Sequence, residues 1–417
     1  MLQQYQNLFD EEDIEDDGSF NSRRFLDPNN VENNEIMADL TEEEVFSAIK
    51  GSAANKSPGE DGLTKEFYQK CWEIIKRQFL LVLNEIKNGR ITENLQDGVI
   101  VLVRKKRAGH DISSFRPITL LNVDYKIFSR VLKQRMERIS TLVLSEHQKC
   151  CNGNHTIFEA TYVIRDYIAI SKQDGVAGIV IALDLSNAFD RVSHSYLLSN
   201  IRRMGFNPLL VNLLTTLLAR EKSQLLINGR TTPHFQIKRS VRQGDPLSML
   251  LFVLYLQPLL DKLAEICNDP GECVVAYADD ITVIIRNSAK IPQILQCFED
   301  FGLAAGAKLN MRKTEAMEIG GQLPVWDGIT KKDAVKVLGV IFKNNIKDTV
   351  AQNWEAVYRS VNGLLGLHRP RLVNIKQKVI LLNTYICSKL WYLSSILPIT
   401  NEYIAMFTKQ MGYFLWN

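Results

Sequence analysis

Three short apolar runs that meet carboxylates constrain this chain more than any other feature. Gly178-Ile-Val-Ile-Ala-Leu183 runs into Asp184, Cys273-Val-Val-Ala-Tyr-Ala278 runs into Asp279 and Asp280, and Ile281-Thr-Val-Ile-Ile285 follows at once. Near-continuous apolar runs of this length, rich in β-branched residues, read as buried strands. The two-residue connection between the second and third predicts a hairpin with Asp279 and Asp280 in its turn. Nothing local asks for two acids there, because Asn-Gly or Asp-Gly makes a better turn. Like charges beside an apolar sheet repel each other and resist desolvation. A solvated turn with an unrelated aspartate elsewhere is the plain alternative. Divalent cations would make the grouping favourable, since magnesium binds through one or two carboxylates together with substrate phosphates.

The flanking pattern is mixed. Thr41 and Glu44 have the spacing of a capping box ahead of Val45, Phe46 and Ile49. Helical periodicity runs over residues 65–88, 125–144, 157–171, 247–263 and 291–303, and again from Trp354 to Trp416. Val99 to Val103 reads as a short strand, and Val335 to Phe342 as another. Residues 56–62, Lys-Ser-Pro-Gly-Glu-Asp-Gly, form a loop by composition. Strands and helices in this order suit an α+β chain, and 417 residues suit two or three domains.

A net charge of +3 hides an asymmetry. Residues 1–40 carry 11 acidic and 2 basic side chains and read as a flexible acidic leader. Residues 99–140 hold 10 basic and 3 acidic side chains, and the tail from Ile346 holds 8 and 3. Basic stretches on a folded body suit a polyanionic partner, although an ordinary solvated surface has the same composition. The N-terminus shows no secretory pattern. Val379 to Ile399 is interrupted by Asn383, Lys389 and Pro398, so it reads as a buried or amphipathic helix and not a membrane span. Seven cysteines without a zinc spacing read as thiols in a reducing compartment.

At the carboxylates the residues reach a family. Residues 182–190, Ala-Leu-Asp-Leu-Ser-Asn-Ala-Phe-Asp, resemble motif A of reverse transcriptases. Residues 242–248, Arg-Gln-Gly-Asp-Pro-Leu-Ser, resemble motif B, and Tyr277-Ala-Asp-Asp280 resembles motif C. The order and spacing of the three are more specific than any one of them. The resemblance extends through residues 56–62, Phe115-Arg116-Pro117-Ile118-Thr119-Leu120, Leu309-Asn310 with Lys313-Thr314-Glu315, and Leu338-Gly339-Val340. It covers Thr41 onward and is to LINE-type, non-LTR retrotransposon reverse transcriptases.

That resemblance implies a right-hand polymerase fold: a leader over 1–40, an N-terminal extension over 41–95, fingers over 96–177, a palm with an antiparallel sheet over 178–345, and a helical thumb over 346–417. It implies RNA-directed DNA polymerase activity on an RNA template, a DNA primer and dNTPs. Asp184, Asp279 and Asp280 would hold two Mg2+ ions, for which Mn2+ could substitute, with the Leu185 carbonyl as an extra ligand. Phe189 would block a 2′-hydroxyl on the incoming nucleotide, and Gln243 and Gly244 would let the backbone approach nucleotide and template. Lys105 and Arg116 would grip the triphosphate, and Lys313 would assist proton transfer to pyrophosphate. Arg359, Arg369, Arg371, Lys376 and Lys378 would face the template–primer duplex. The family implies an intracellular, nuclear setting and no membrane; the sequence identifies no protein partner.

One stretch departs from the family. After Gln148, where an aromatic and a Pro-Gly-Arg-Ser-like turn are usual, the chain reads Lys149-Cys-Cys-Asn-Gly-Asn-His155-Thr156, with His155 at the arginine position. The sequence leaves no room for an endonuclease or RNase H domain, so target-site nicking is not expected of it. The alternative function is a catalytically idle, element-derived protein that binds nucleic acid or a partner. A group II intron-type maturase shares the fold, but suits residues 124–128 and 390–393 less well.

Overall fold

The computed structural model describes residues 2–105, 114–321, 323–324 and 326–416. Lys106 and Arg107, two of the basic side chains counted over residues 99–140, therefore lie outside the described residues. Two compact units emerge. One comprises Met1–His155, Leu185–Glu265 and Ile294–Leu309; the other comprises Thr156–Asp184, Ile266–Gln293 and Asn310–Asn417.

The strands among the described residues are β1 (Gly98–Arg104), β2 (Phe115–Leu121), β3 (Gly178–Leu183), β4 (Lys222–Ile227), β5 (Arg230–Thr231) and β6 (Phe235–Gln236). Then follow β7 (Cys273–Tyr277), β8 (Asp280–Ile285), β9 (Glu315–Ile319), β10 (Thr330–Lys331), β11 (Ala334–Val337) and β12 (Val340–Lys343). With the helices between them they make the mixed α+β architecture that the pattern implied.

In the first unit β1 is flanked by β2, antiparallel with Gly98 opposite Leu121, and by β4, parallel. The strands β5 and β6 complete this sheet on β4. The amino-terminal segment is ordered on the same unit, which corrects the expectation of a flexible leader. Leu2–Phe9 is a helix whose Tyr5 and Phe9 are buried with Ile100, Leu225, Phe235 and Ile237. Several of the acids that suggested disorder find a cation: Asp10 lies 2.8 Å from Lys238, and Asp16 lies 3.2 Å from Arg203. Glu12 pairs with Arg191 and Arg239. Burial raises its proton affinity, but the two guanidiniums outweigh that and hold its carboxyl below the usual range.

In the second unit the sheet order is β10-β9-β3-β8-β7. The central β3 is antiparallel to both β8 and β9, and its burial over almost every residue matches the unbroken apolar run. Val180, Val275, Ile284 and Met317 of this sheet share a core with Trp354, Val361, Phe407 and Phe414 of the carboxy-terminal helices. Trp354 is fully buried, and its Nε1 donates to the Pro398 carbonyl at 2.8 Å, so the polar end of the indole is satisfied.

Two local expectations shift. The hairpin closes with Tyr277 opposite Asp280, so its turn is Ala278-Asp279 and Asp280 opens β8. The run 335–342 is not one strand but the hairpin β11–β12, turning on Leu338 and Gly339 at φ +49° and +85°. Positive φ at both central residues is the turn that matches strand twist. No helix among the described residues is long and apolar enough to cross a membrane.

Candidate active site

Strand pairing alone brings two of the three carboxylates side by side. Leu183 lies opposite Ile281, so Asp184 leaves β3 beside Asp280, the first residue of β8. Asp279 directly precedes Asp280, in the turn, and follows Ala278 at φ +54°. A non-glycine residue in that left-handed region costs on the order of 1–3 kcal/mol and persists where the surroundings enforce it. The Asn310 N–H donates to the Asp184 carbonyl at 2.7 Å, fixing the end of β3 to the segment before β9. Burial pushes the Asp280 carboxyl up to about 6, the charges of Asp279 and Asp184 push the same way, and Lys313 opposes them. Lys313 places Nζ 3.1 Å from Asp184 Oδ2.

Asp184, Asp280 and Lys313 line one cavity of about 290 Å³ with Arg312, Glu315 and Lys336. Sequence reasoning assigned no role to Arg312, Glu315 or Lys336. The signal for Lys336 was its place between buried Val335 and Val337, which turns it to the open side of β11. Hard oxygen donors, a like-charge penalty at Asp280 and an open polar cavity fit a divalent cation held by Asp184, Asp279 and Asp280.

The remaining candidates from the central motifs belong to the first unit. Leu185 is buried and bridges to Leu309. Phe189 lies in the helical turn Ala188–Arg191 and stacks on Phe252, centroids 4.5 Å apart and planes 16° apart. The Gln243 carbonyl accepts from the Thr119 N–H at 2.8 Å, and Gln243 Nε2 donates to Asp190 Oδ1 at 3.3 Å. Burial pushes Asp190 up to about 7 against that bond and the charge of Lys105. Gly244 has φ +134°, and a Cβ there would stand 2.2 Å from the Thr119 oxygen. Only glycine fits, because the loop presses on β2.

The loop is braced from behind. Arg242 Nε lies 3.0 Å from Glu221 Oε1 with both side chains buried, and Arg242 also donates to the Gln96 carbonyl at 2.6 Å. Burial pushes Glu221 up to about 7, with Arg242 opposing. Tyr125 donates to one oxygen of Asp245 at 2.9 Å, and Ser129 donates to the other. Arg116 is exposed on β2, and Lys105 follows β1 with its N–H on the Ser114 carbonyl.

In the carboxy-terminal helices Arg359, Arg369, Arg371 and Lys376 are exposed, while Lys378 is half-buried. Three of the five are engaged locally. Arg359 pairs with Glu355 at 2.6 Å, Arg369 reaches Gln410 and the Tyr413 ring, and Lys378 donates to the Leu415 carbonyl. The unusual stretch after Gln148 folds as a turn: buried Asn152 donates to the Ser145 and Gln148 carbonyls, and His155 is exposed.

Residues 103–342 match the family described as "Reverse transcriptase (RNA-dependent DNA polymerase)". An uncharacterized 149 kDa protein of transposon TX1 from Xenopus laevis is 29% identical over 430 residues, covering 99% of this chain and 33% of that protein. A Pol polyprotein of the type-1 retrotransposable element R2 from Popillia japonica is 27% identical, covering 67% of this chain and 39% of its own length. The RNA-directed DNA polymerase from mobile element jockey of Drosophila melanogaster is 22% identical, covering 66% and 31%. The chain spans roughly a third of the length of these curated relatives.

Proposed function

Because the chain belongs to the reverse transcriptase family, in its LINE-type lineage, we propose that it is an RNA-directed DNA polymerase extending a DNA primer on an RNA template. The observation that carries this reading is the carboxylate pair at the ends of β3 and β8, with Asp280 raised to about 6 by burial and like charge. Such a pair weakens the apoprotein and suits a site that binds cations and phosphate.

In this reading Asp184, Asp279 and Asp280 hold two Mg2+ ions, with Leu185 adding its carbonyl. Ions held there would supply activation of the primer 3′-hydroxyl and neutralisation of the leaving pyrophosphate. The chain's own groups orient the substrates. Lys313 supplies a cation and a proton at the same cavity. Lys105 and Arg116 bind triphosphate oxygens, Arg116 as a guanidinium suited to bidentate contact. Phe189 excludes a 2′-hydroxyl, and Gln243 and Gly244 shape the nucleotide and template contact. Base pairing chooses the nucleotide, so the protein needs backbone and shape contacts. Arg359, Arg369, Arg371, Lys376 and Lys378 supply them from the thumb, the sheet of β3, β7 and β8 being the palm and the β1–β2 hairpin part of the fingers.

The test is extension of oligo(dT) on poly(rA) with dTTP and Mg2+ by folded protein. Extension that Asp279→Asn abolishes, while RNA binding persists, supports the assignment. No extension by the folded parent, or equal activity in the variant, removes it.

A further inference from the structure

Away from the strand-end carboxylates, three residues from distant parts of the first unit converge. Glu60 comes from the 56–62 loop, Asp97 from the residue before β1, and His234 from the link between β5 and β6. Their ligand atoms all lie within 4.8 Å of one another. His234 Nε2 is 3.3 Å from Glu60 Oε1 and 3.7 Å from Asp97 Oδ2. Metal bonds of ~2.0–2.1 Å in a tetrahedral site set ligand atoms about 3.3–3.4 Å apart, so the His234–Glu60 separation is that of neighbouring metal ligands, and the wider pairs would draw in on binding.

A second observation separates this cluster from an ordinary surface ion pair. Asp97 is 7% exposed, and its other oxygen, Oδ1, is buried with no hydrogen-bond partner among the described residues. A buried, unsatisfied carboxylate oxygen is costly unless something positive fills its place. The loop is also held in place. A Cβ on Gly59 would lie 2.1 Å from Asn122 Oδ1 and 2.4 Å from its backbone nitrogen, so the chain beside Glu60 is pressed against the end of β2. Gln224 on β4 donates to Glu60 Oε1 and orients that carboxylate, as outer partners of metal ligands do.

We propose that Glu60, Asp97 and His234 bind a divalent transition cation of the Zn2+ class through one imidazole nitrogen and two carboxylates. The nitrogen donor selects against magnesium, which takes oxygen ligands. The ion ties the 56–62 loop to the entry of β1 and to the β5–β6 link, and leaves a coordination position open to solvent beside exposed Glu60 and His234.

The experiment is a calorimetric titration of chelator-treated full-length protein with Zn2+ in excess Mg2+, which occupies the strand-end carboxylates. The expected result is one tightly bound equivalent, a higher melting temperature with Zn2+, and visible d–d absorption when Co2+ replaces it. His234→Gln and Glu60→Gln, both on exposed loops, should each weaken Zn2+ binding at least about tenfold with circular dichroism unchanged. Asp280→Asn should leave the Zn2+ equivalent in place. No Zn2+ binding in excess Mg2+ overturns the proposal. So does a Zn2+ equivalent indifferent to both loop variants, which would put the ion on cysteines or elsewhere.

Discussion

Lys313 Nζ stands 3.1 Å from Asp184 Oδ2, and the same ammonium lowers the proton affinity of Asp280. Removing it therefore has a definite sign. In Lys313→Ala the Asp280 carboxyl should titrate at higher pH, and the acid limb of Mg2+-dependent extension should move up with it. Lys313→Arg keeps a cation and should restore the original limb. The pH profile of kcat/KM measures this, and an unmoved limb in Lys313→Ala would deny the coupling.

Asp280 also makes the metal-free protein pH-sensitive. Its folded value of about 6 exceeds the ~3.9 of an unfolded aspartate, so the native state keeps the proton longer. Stability from this group is present below about pH 4 and is lost as pH rises to about 6. Asp280→Asn, in chelator at neutral pH, should melt above the parent, and the gap should close below about pH 4. Thermal unfolding across this range checks it; a variant less stable than the parent at neutral pH would contradict the charge argument.

The Arg242–Glu221 pair is buried on both sides. Arg242→Met leaves Glu221 buried and uncompensated, a loss of about 3–5 kcal/mol. Adding Glu221→Leu removes the orphaned charge and should recover most of the stability. Urea denaturation of the two single variants and the double variant gives the cycle; additive losses would mean that the pair is not coupled.

Phe189 stacks on Phe252 with a centroid distance of 4.5 Å, so its ring is held in one orientation. Phe189→Val shortens that side chain and should lower the preference for dNTP over rNTP at least about tenfold, in the range that small changes of pocket shape produce. Competition of dTTP and UTP on one template measures the ratio. An unchanged ratio with full extension activity would remove Phe189 from sugar discrimination.

What the sequence revealed follows physical range. The apolar runs of β3, β7 and β8 were legible because burial on both faces leaves no polar alternation to misread. The placement of Asp280 was off by one because a two-residue turn can slide along a run of Ala-Asp-Asp, and only the Tyr277–Asp280 ladder pair fixes it. Gly339 offered a turn signal inside 335–342, but the apolar residues around it outweighed it. The ordered leader was illegible because Tyr5 and Phe9 are buried against residues more than ninety positions away, and because the acids' partners, Arg191, Arg203 and Arg239, are as distant. Glu60, Asp97 and His234 share no local pattern at all; only the folded sheet assembles them.

The hairpin that turns on Ala278 and Asp279 has an evolutionary corollary. Side chains alternate faces along β8, so a codon inserted or deleted within the turn would slip the register and invert Asp280 together with every residue behind it. A change among the apolar residues of the strands alters packing locally, whereas a change of length at this spot displaces the whole arrangement. Lineages carrying such a hairpin should therefore vary in the apolar residues of its strands and stay fixed in its carboxylates and their spacing.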